Sequence, residues 1–233
     1  VVSPLLANVY LHFVFDQRAE QWRRRHARGD MVIVRYANDF IAGFQHCGDA
    51  ERFQADLSER FAKFALKLKA EKTRVLEFGR FAAKDRAARG LDQPETFDVL
   101  GFTHACGRTR DGYFALRRIT IAKRMRAKLK EVKDQLRLRM HLPIPEVGRW
   151  LGSVVRGHLA YYAVPGNIDA VAAFRTQVTR LWYRALQRRG QRTRLNWERM
   201  GRLAAKWLPP ARARHPYPST RFDARTRGRS PVR

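Results

Sequence analysis

The sequence predicts an α+β fold over residues 1–117 followed by an all-α part. Three features point there. Up to residue 117, apolar residues come in short β-rich runs broken by turn dipeptides; beyond it they recur every three or four positions. Charge follows the same division. Residues 1–100 carry 17 basic and 14 acidic side chains, and residues 101–233 carry 31 and 7, so the nets are +3 and +24.

Taken in order, Leu6, Tyr10, Phe13 and Val14 fall on one helical stripe, and Ser3-Pro4 suits a helix start. A buried helix opening at residue 1 is expected to have sequence before it. Met31–Tyr36 and Phe40–Phe44 read as strands joined through Ala37-Asn38-Asp39, a β-hairpin. Phe53, Leu57, Phe61, Phe64 and Leu68 mark an amphipathic helix over 49–68. Arg74–Phe78 and Phe97–Ala105 read as strands, residues 79–94 as a loop, and Asp111-Gly112 as a second hairpin turn. Met125, Leu129, Val132, Leu136 and Met140 line a first basic helix that Pro143 and Pro145 interrupt. Val147, Leu151, Val154, His158 and Tyr162 mark the next, and Val171, Phe174, Val178, Leu181 and Ala185 a third. Together they form a bundle. Asn196–Trp207 makes a fourth helix, stopped by Pro209-Pro210, and the Pro- and Arg-rich remainder is expected to be extended or disordered.

Several classes are excluded. No apolar run approaches the roughly 18 residues of a membrane span, and residues 1–15 lack the pattern of a signal peptide. Cys47 and Cys106 form neither a disulfide framework nor a metal motif, which fits free thiols in a reducing, cytoplasmic setting. The seven histidines show no metal-ligand spacing, so no Cys/His endonuclease domain is expected. An excess of arginine on a folded domain instead points to a polyanion, nucleic acid first.

The window Arg35-Tyr36-Ala37-Asn38-Asp39-Phe40 is the most informative. A carboxylate at a tight turn between apolar strands is held rigidly off the sheet, a geometry suited to a divalent cation. An Asn-Asp turn is also often only a turn.

Tyr36-Ala37-Asn38-Asp39-Phe40 resembles the Tyr-Ala-Asp-Asp-Phe signature of reverse transcriptases, with one change. Further windows resemble group II intron-encoded proteins in the same order: Ser3-Pro4-Leu5-Leu6-Ala7-Asn8, Glu71-Lys72-Thr73, Phe97-Asp98-Val99-Leu100-Gly101-Phe102, Arg149-Trp150-Leu151-Gly152 through Arg156-Gly157 to Tyr161-Tyr162, Asn196-Trp197-Glu198-Arg199 and His215-Pro216-Tyr217-Pro218. The resemblance implies a partial reverse transcriptase palm over 1–117, a helical thumb/maturase X domain over 118–190, and a basic C-terminal helix and tail over 191–233. It also implies structured intron RNA and an RNA template with DNA primer as partners, and Mg²⁺ as the family's metal. Tyr36, Lys72, Gly101, Phe102 and Arg156 are implied nucleic-acid contacts by the same route.

Two departures bear on activity. The position of the family's first paired Asp is Asn38, a neutral ligand where a bridging carboxylate is needed; Asp39 remains. The third carboxylate of the family, its fingers and its Pro-Gln-Gly motif would lie upstream of residue 1. The resemblance therefore implies a chain that binds Mg²⁺ poorly and does not polymerise DNA alone. Asn38 fits either a lesion in a decaying element or a change tolerated in a lineage kept for RNA binding. A degenerate fragment, and a polymerase completed by an upstream protein fragment, stay open as alternatives.

The basic helices carry the binding expectation. Residues 117–139 hold ten basic and two acidic side chains; residues 175–194 hold seven arginines and no acid. A charged helix face is often merely solvated, but this density is self-repelling without phosphates. Arg124, Lys128, Arg180, Arg184 and Arg188 are the expected phosphate contacts. Among aromatics otherwise expected in the core, Tyr183, with Arg180 and Arg184 on either side, is the candidate for stacking on a base.

Overall fold

The computed structural model describes residues 2–190 and 195–216. The chain divides into two compact units, one ending at Phe78 and one starting at Gly79.

The first unit opens with helix α1 (Val2–Leu11), which continues through one π-helical turn (His12–Asp16) into α2 (Gln17–Arg25). A π-turn inserts an extra residue and so rotates the helix's apolar face. The rotation corrects the stripe expected from sequence. Val14, Phe15, Ala19 and Trp22 are buried, whereas Leu6 is 61% and Phe13 57% exposed and Tyr10 is exposed as well. Strands β1 (Met31–Tyr36) and β2 (Asp39–Phe44) form a two-stranded antiparallel hairpin in which Tyr36 pairs with Asp39. Helix α3 (Cys47–Lys63) buries Phe53, Leu57 and Phe61 against Val14, Phe15, Trp22 and Met31. The spacing of four that predicts this helix is the spacing that puts those rings on one face. It ends five residues earlier than expected, with Phe64 and Leu68 packed on the same core from the following loop. Residues 74–78 are not a strand: no described strand pairs with them, and Val75 is exposed.

The second unit joins a small sheet to a helical bundle. Residues 79–94, expected as loop, contain a short helix, α4 (Ala82–Ala88), formed on an alanine-rich run. The single strand expected over 97–105 is two, β3 (Phe97–Val99) and β4 (Phe102–Arg108), folded back at Leu100-Gly101, both with positive φ (47° and 82°). Strand β5 (Phe114–Thr120) completes an antiparallel sheet in the order β3-β4-β5, and the β4–β5 link turns at Gly112 as expected. Helices α5 (Ala122–Leu138), α6 (Ile144–Tyr162), α7 (Ile168–Gln187) and α8 (Trp197–Trp207) follow. Their core includes Val132, Leu151, Val155, Leu159, Phe174, Val178, Trp182 and Met200, and Asn196 caps α8 by accepting from the Arg199 amide.

The sheet belongs with this bundle, so the compact units part at residue 78 and not at 117, where the texture of the sequence changes. Buried Asn167, at the α6–α7 turn, accepts from the Thr120 amide (2.9 Å) and donates to Thr120 Oγ1 and Tyr162 O, each 2.8 Å. Beyond α8, residues 209–216 run back along α6, where the Arg214 amide donates to Ala163 O. The expected basic tail from residue 217 on, with Tyr217 and Pro218, and Arg192 and Arg194 before α8, lie outside the described residues. No described helix is long and apolar enough to cross a membrane. Cys47 and Cys106 form no disulfide.

Gly152 shows why the Arg149–Gly152 window reads as it does. A Cβ there would stand 2.6 Å from the Trp207 carbonyl oxygen, and one on Gly148 would meet the Trp207 ring at 2.6 Å. The close approach of α8 to α6 needs both glycines. Gly152→Ala is therefore expected to destabilise the helical unit by about 1–3 kcal/mol, read as a lower urea midpoint, with unfolding of the first unit unchanged.

Candidate functional site

The hairpin turn is held by one guanidinium. Arg35, inside the apolar strand β1, donates from Nε and Nη2 to the two carboxylate oxygens of Asp16 (2.7 Å each). Its Nη1 donates to Asn8 Oδ1 (3.0 Å) and to the carbonyl of Ala37 (2.8 Å). Ala37 sits at φ +53°, the left-handed region that costs a Cβ-bearing residue roughly 1–2 kcal/mol. The Arg35–Ala37 bond sets against that strain, and the forked pair with Asp16 at the end of the π-turn ties the turn to the helix. Arg35 and Asp16 are mostly shielded from solvent, and hydrogen bonding to Arg35 lowers the Asp16 pKa below the usual carboxylate range.

Asn38 and Asp39 stand exposed beyond this clamp, and so does Tyr36. The donor set does not fit a two-metal centre. Asp39 offers one carboxylate and Asn38 one neutral oxygen, while Asp16 is committed to Arg35 on both oxygens. No group of three or more His, Cys, Asp or Glu suited to a metal occurs among the described residues. Lys72 is exposed in the turn after α3, its amide bonded to Lys69 O, and no described contact joins it to the hairpin.

In the second unit, four of the predicted residues come together. The Leu100-Gly101 turn abuts the C-terminal end of α6: Tyr161 Oη donates to Leu100 O (2.8 Å), and Phe102 packs against Tyr161 and Tyr162 at ring distances of 5.9 and 5.2 Å. A Cβ on Gly101 would lie 3.0 Å from Tyr162 Oη and 3.2 Å from Arg124, so Gly101 serves both a positive φ and a close approach. Arg124 and Lys128, on α5, and Tyr161, on α6, line an open cleft of about 370 Å³ together with Met125, Val154, Gly157 and His158. Lys128 also pairs with Glu131 (2.7 Å).

His158 reads from sequence only as a core position. It is 8% exposed, stacks on Phe174 at 3.7 Å, and its Nε2 has no hydrogen-bond partner. Burial, reinforced by the Lys128 charge, lowers its pKa to about 4, so the ring is neutral at pH 7.

Arg180 and Arg184, on α7, and Arg188, at its C-terminal cap, recur every four residues and are all exposed. Not every arginine of the stretch is free for phosphate. Arg175 donates to the carbonyls of Pro209, Ala204 and Leu208, and Arg189 to Leu142 O (2.5 Å), so both close the bundle. Tyr183 is already stacked, its ring 4.2 Å from that of Trp197, and the more exposed face of the pair belongs to Trp197 (54% exposed). Arg156 is exposed on α6 and donates to Ser153 Oγ. The residues that sequence reasoning missed are Arg35 as clamp, Asp16 and His158. A charged residue inside an apolar strand, Arg35, was the available signal.

The family model described as reverse transcriptase (RNA-dependent DNA polymerase) matches residues 1–104. This segment is a reverse transcriptase domain. It takes in the β1–β2 hairpin and ends inside β4, so the Leu100-Gly101 turn is part of it and the basic helices are not. No curated protein matches the chain. Reverse transcriptases bind a template and primer and generally use Mg²⁺.

Asp16→Asn should destabilise the first unit by about 1–3 kcal/mol in urea unfolding. Because the folded pKa of Asp16 is depressed, the stability it contributes is present above the unfolded value, about 3.9, and is lost as pH falls through the folded one. His158 acts in the same direction at higher pH. Below its unfolded pKa of about 6.5 the unfolded chain takes up a proton that the folded chain does not accept until about pH 4, so the helical unit loses up to about 3 kcal/mol across that window. His158→Phe should flatten that pH dependence in thermal melts.

Proposed function

We propose that this chain is the RNA-holding part of a group II intron-encoded reverse transcriptase/maturase, and that it does not synthesise DNA on its own. The observation that carries the reading is the placement of positive charge: Arg124, Arg156, Arg180 and Arg184 on helices, and Arg188 just past α7, are exposed in the part of the chain beyond the reverse transcriptase segment, where residues 101–233 carry a net of +24. The windows resembling group II intron proteins continue past residue 104 in the same order, into α6 and α8. Arginines spaced along α7 suit the phosphates of a ribose–phosphate backbone, and A-form RNA is recognised largely through shape, phosphate and 2′-hydroxyl contacts. The partners proposed are structured intron RNA and, by family, an RNA template with its primer.

Inactivity in polymerisation rests on Asn38. An amide in place of a bridging carboxylate removes one negative charge from the metal site, and loss of electrostatic stabilisation of this kind costs roughly 10²–10³-fold in rate.

A second reading is favoured by one observation. Leu5, Leu6, Val9, Tyr10 and Phe13 leave an apolar face of α1 and the π-turn open to solvent, a surface that further palm sequence, on this or another polypeptide, would cover. On that reading Asn38→Asp in the completed protein restores activity.

Binding of a structured RNA is expected to weaken steeply between about 50 and 200 mM salt. Replacing Arg180, Arg184 and Arg188 together by Gln should lower the log–log salt slope by about one for each phosphate the chain then fails to neutralise. Salt-independent or absent binding would contradict the RNA reading. Primer extension on an RNA template with Mg²⁺ or Mn²⁺ should give no cDNA above background from the chain alone.

A further inference from the structure

The cleft between α5 and α6 has a mixed chemistry that phosphate binding alone does not account for. Its walls are mostly apolar, made by Met125, Val154 and the Tyr161 ring, while Arg124 and Lys128 also line it. A phosphate by itself would engage the two cations and leave the apolar walls in water. An apolar ligand would leave the cations without a partner beyond the Lys128–Glu131 pair. A nucleotide satisfies both, with its phosphate at the cations and its base against the walls.

One further observation supports a base. Tyr161 is half exposed, although its hydroxyl is fixed to Leu100 O and its ring packs beside Phe102; it is a rigid aromatic surface available for stacking. His158, nine-tenths buried and lining the same cleft, has an Nε2 without a hydrogen-bond partner. The nitrogen is itself shielded, so His158 contributes an apolar ring face to the cleft rather than a hydrogen-bonding group. A paired base cannot reach such a site, because its faces are covered within the stack and its edge is engaged.

We infer that this cleft receives an unpaired nucleotide of a bound RNA, its phosphate held by Arg124 and Lys128 and its base stacked on Tyr161. The inference rests on the RNA-binding reading above and adds to it a preference for RNA with unpaired bases over plain duplex. Gly157 supplies the test. It is exposed on α6 and lines the cleft, and a Cβ there meets nothing within 4 Å, so a side chain can start from it into the cleft.

The experiment measures binding of the full chain to a hairpin RNA with an unpaired loop and to a blunt RNA duplex with the same number of phosphates. The wild-type chain is expected to prefer the hairpin, and Gly157→Phe to shrink that preference about tenfold. Should Gly157→Phe lose its helical circular dichroism, 2-aminopurine at an unpaired loop position reports on the wild-type chain directly: its fluorescence is expected to fall on binding as the base stacks on Tyr161. Adenosine 5′-monophosphate is expected not to displace the hairpin at equal concentration; displacement would assign the cleft to a free nucleotide and overturn the proposal. Salt-sensitive binding with no preference for the hairpin, or with unchanged 2-aminopurine fluorescence, overturns the cleft proposal and leaves RNA binding standing. Absence of binding to either RNA overturns both.

Discussion

The guanidinium of Arg35 is the constraint on which the reverse transcriptase segment's hairpin depends. Its fork is matched to the two oxygens of Asp16, and its remaining nitrogen reaches Asn8 and the strained Ala37 carbonyl. Strand, turn, π-turn and first helix thus meet at one charge. The turn is rigid, and what it presents is fixed by the residues beyond the clamp. Those residues are Asn38 and Asp39. Together they offer one carboxylate and one neutral amide oxygen.

The helical unit obeys a different rule. Its interior is closed by aliphatic and aromatic packing and by two glycines that let α8 approach α6. Arg175 and Arg189 are engaged by backbone carbonyls within it. The remaining cations stand outward on α5, α6 and α7 with few acids beside them. Self-repulsion at that density favours a polyanion as a stabilising partner. The Leu100-Gly101 turn, close to the end of the reverse transcriptase segment, packs directly on α6 through Tyr161, so within this unit the segment and the basic helices share one surface.

Much of this was legible in the sequence, for physical reasons. Strand β1, helices α5 to α8 and the Asp111-Gly112 turn were readable because side-chain period and turn chemistry are local properties. The failures trace to tertiary effects. A π-turn rotates the apolar face of α1 and α2, so a stripe counted at ordinary helical spacing put Leu6 and Phe13 inside and passed over Trp22. Leu100 adopts a positive φ that its residue type disfavours, and so hid the turn that splits β3 from β4. Residues 74–78 have strand composition and no partner among the described strands. At the site, residue identity revealed Asn38 and Asp39, but the partners of Arg35 and the isolation of the His158 ring depend on elements far apart in sequence.

On the proposed reading, RNA lies on the helical unit, along the surface shared by α5, the Leu100-Gly101 turn and α6, and along α7. Ultraviolet cross-linking of a structured RNA to the full chain, followed by peptide mapping, tests it most directly. Cross-links are expected on the peptides carrying Tyr161 and Trp197. Cross-links confined to residues 1–78, or none on the helical unit at saturating RNA, would contradict it.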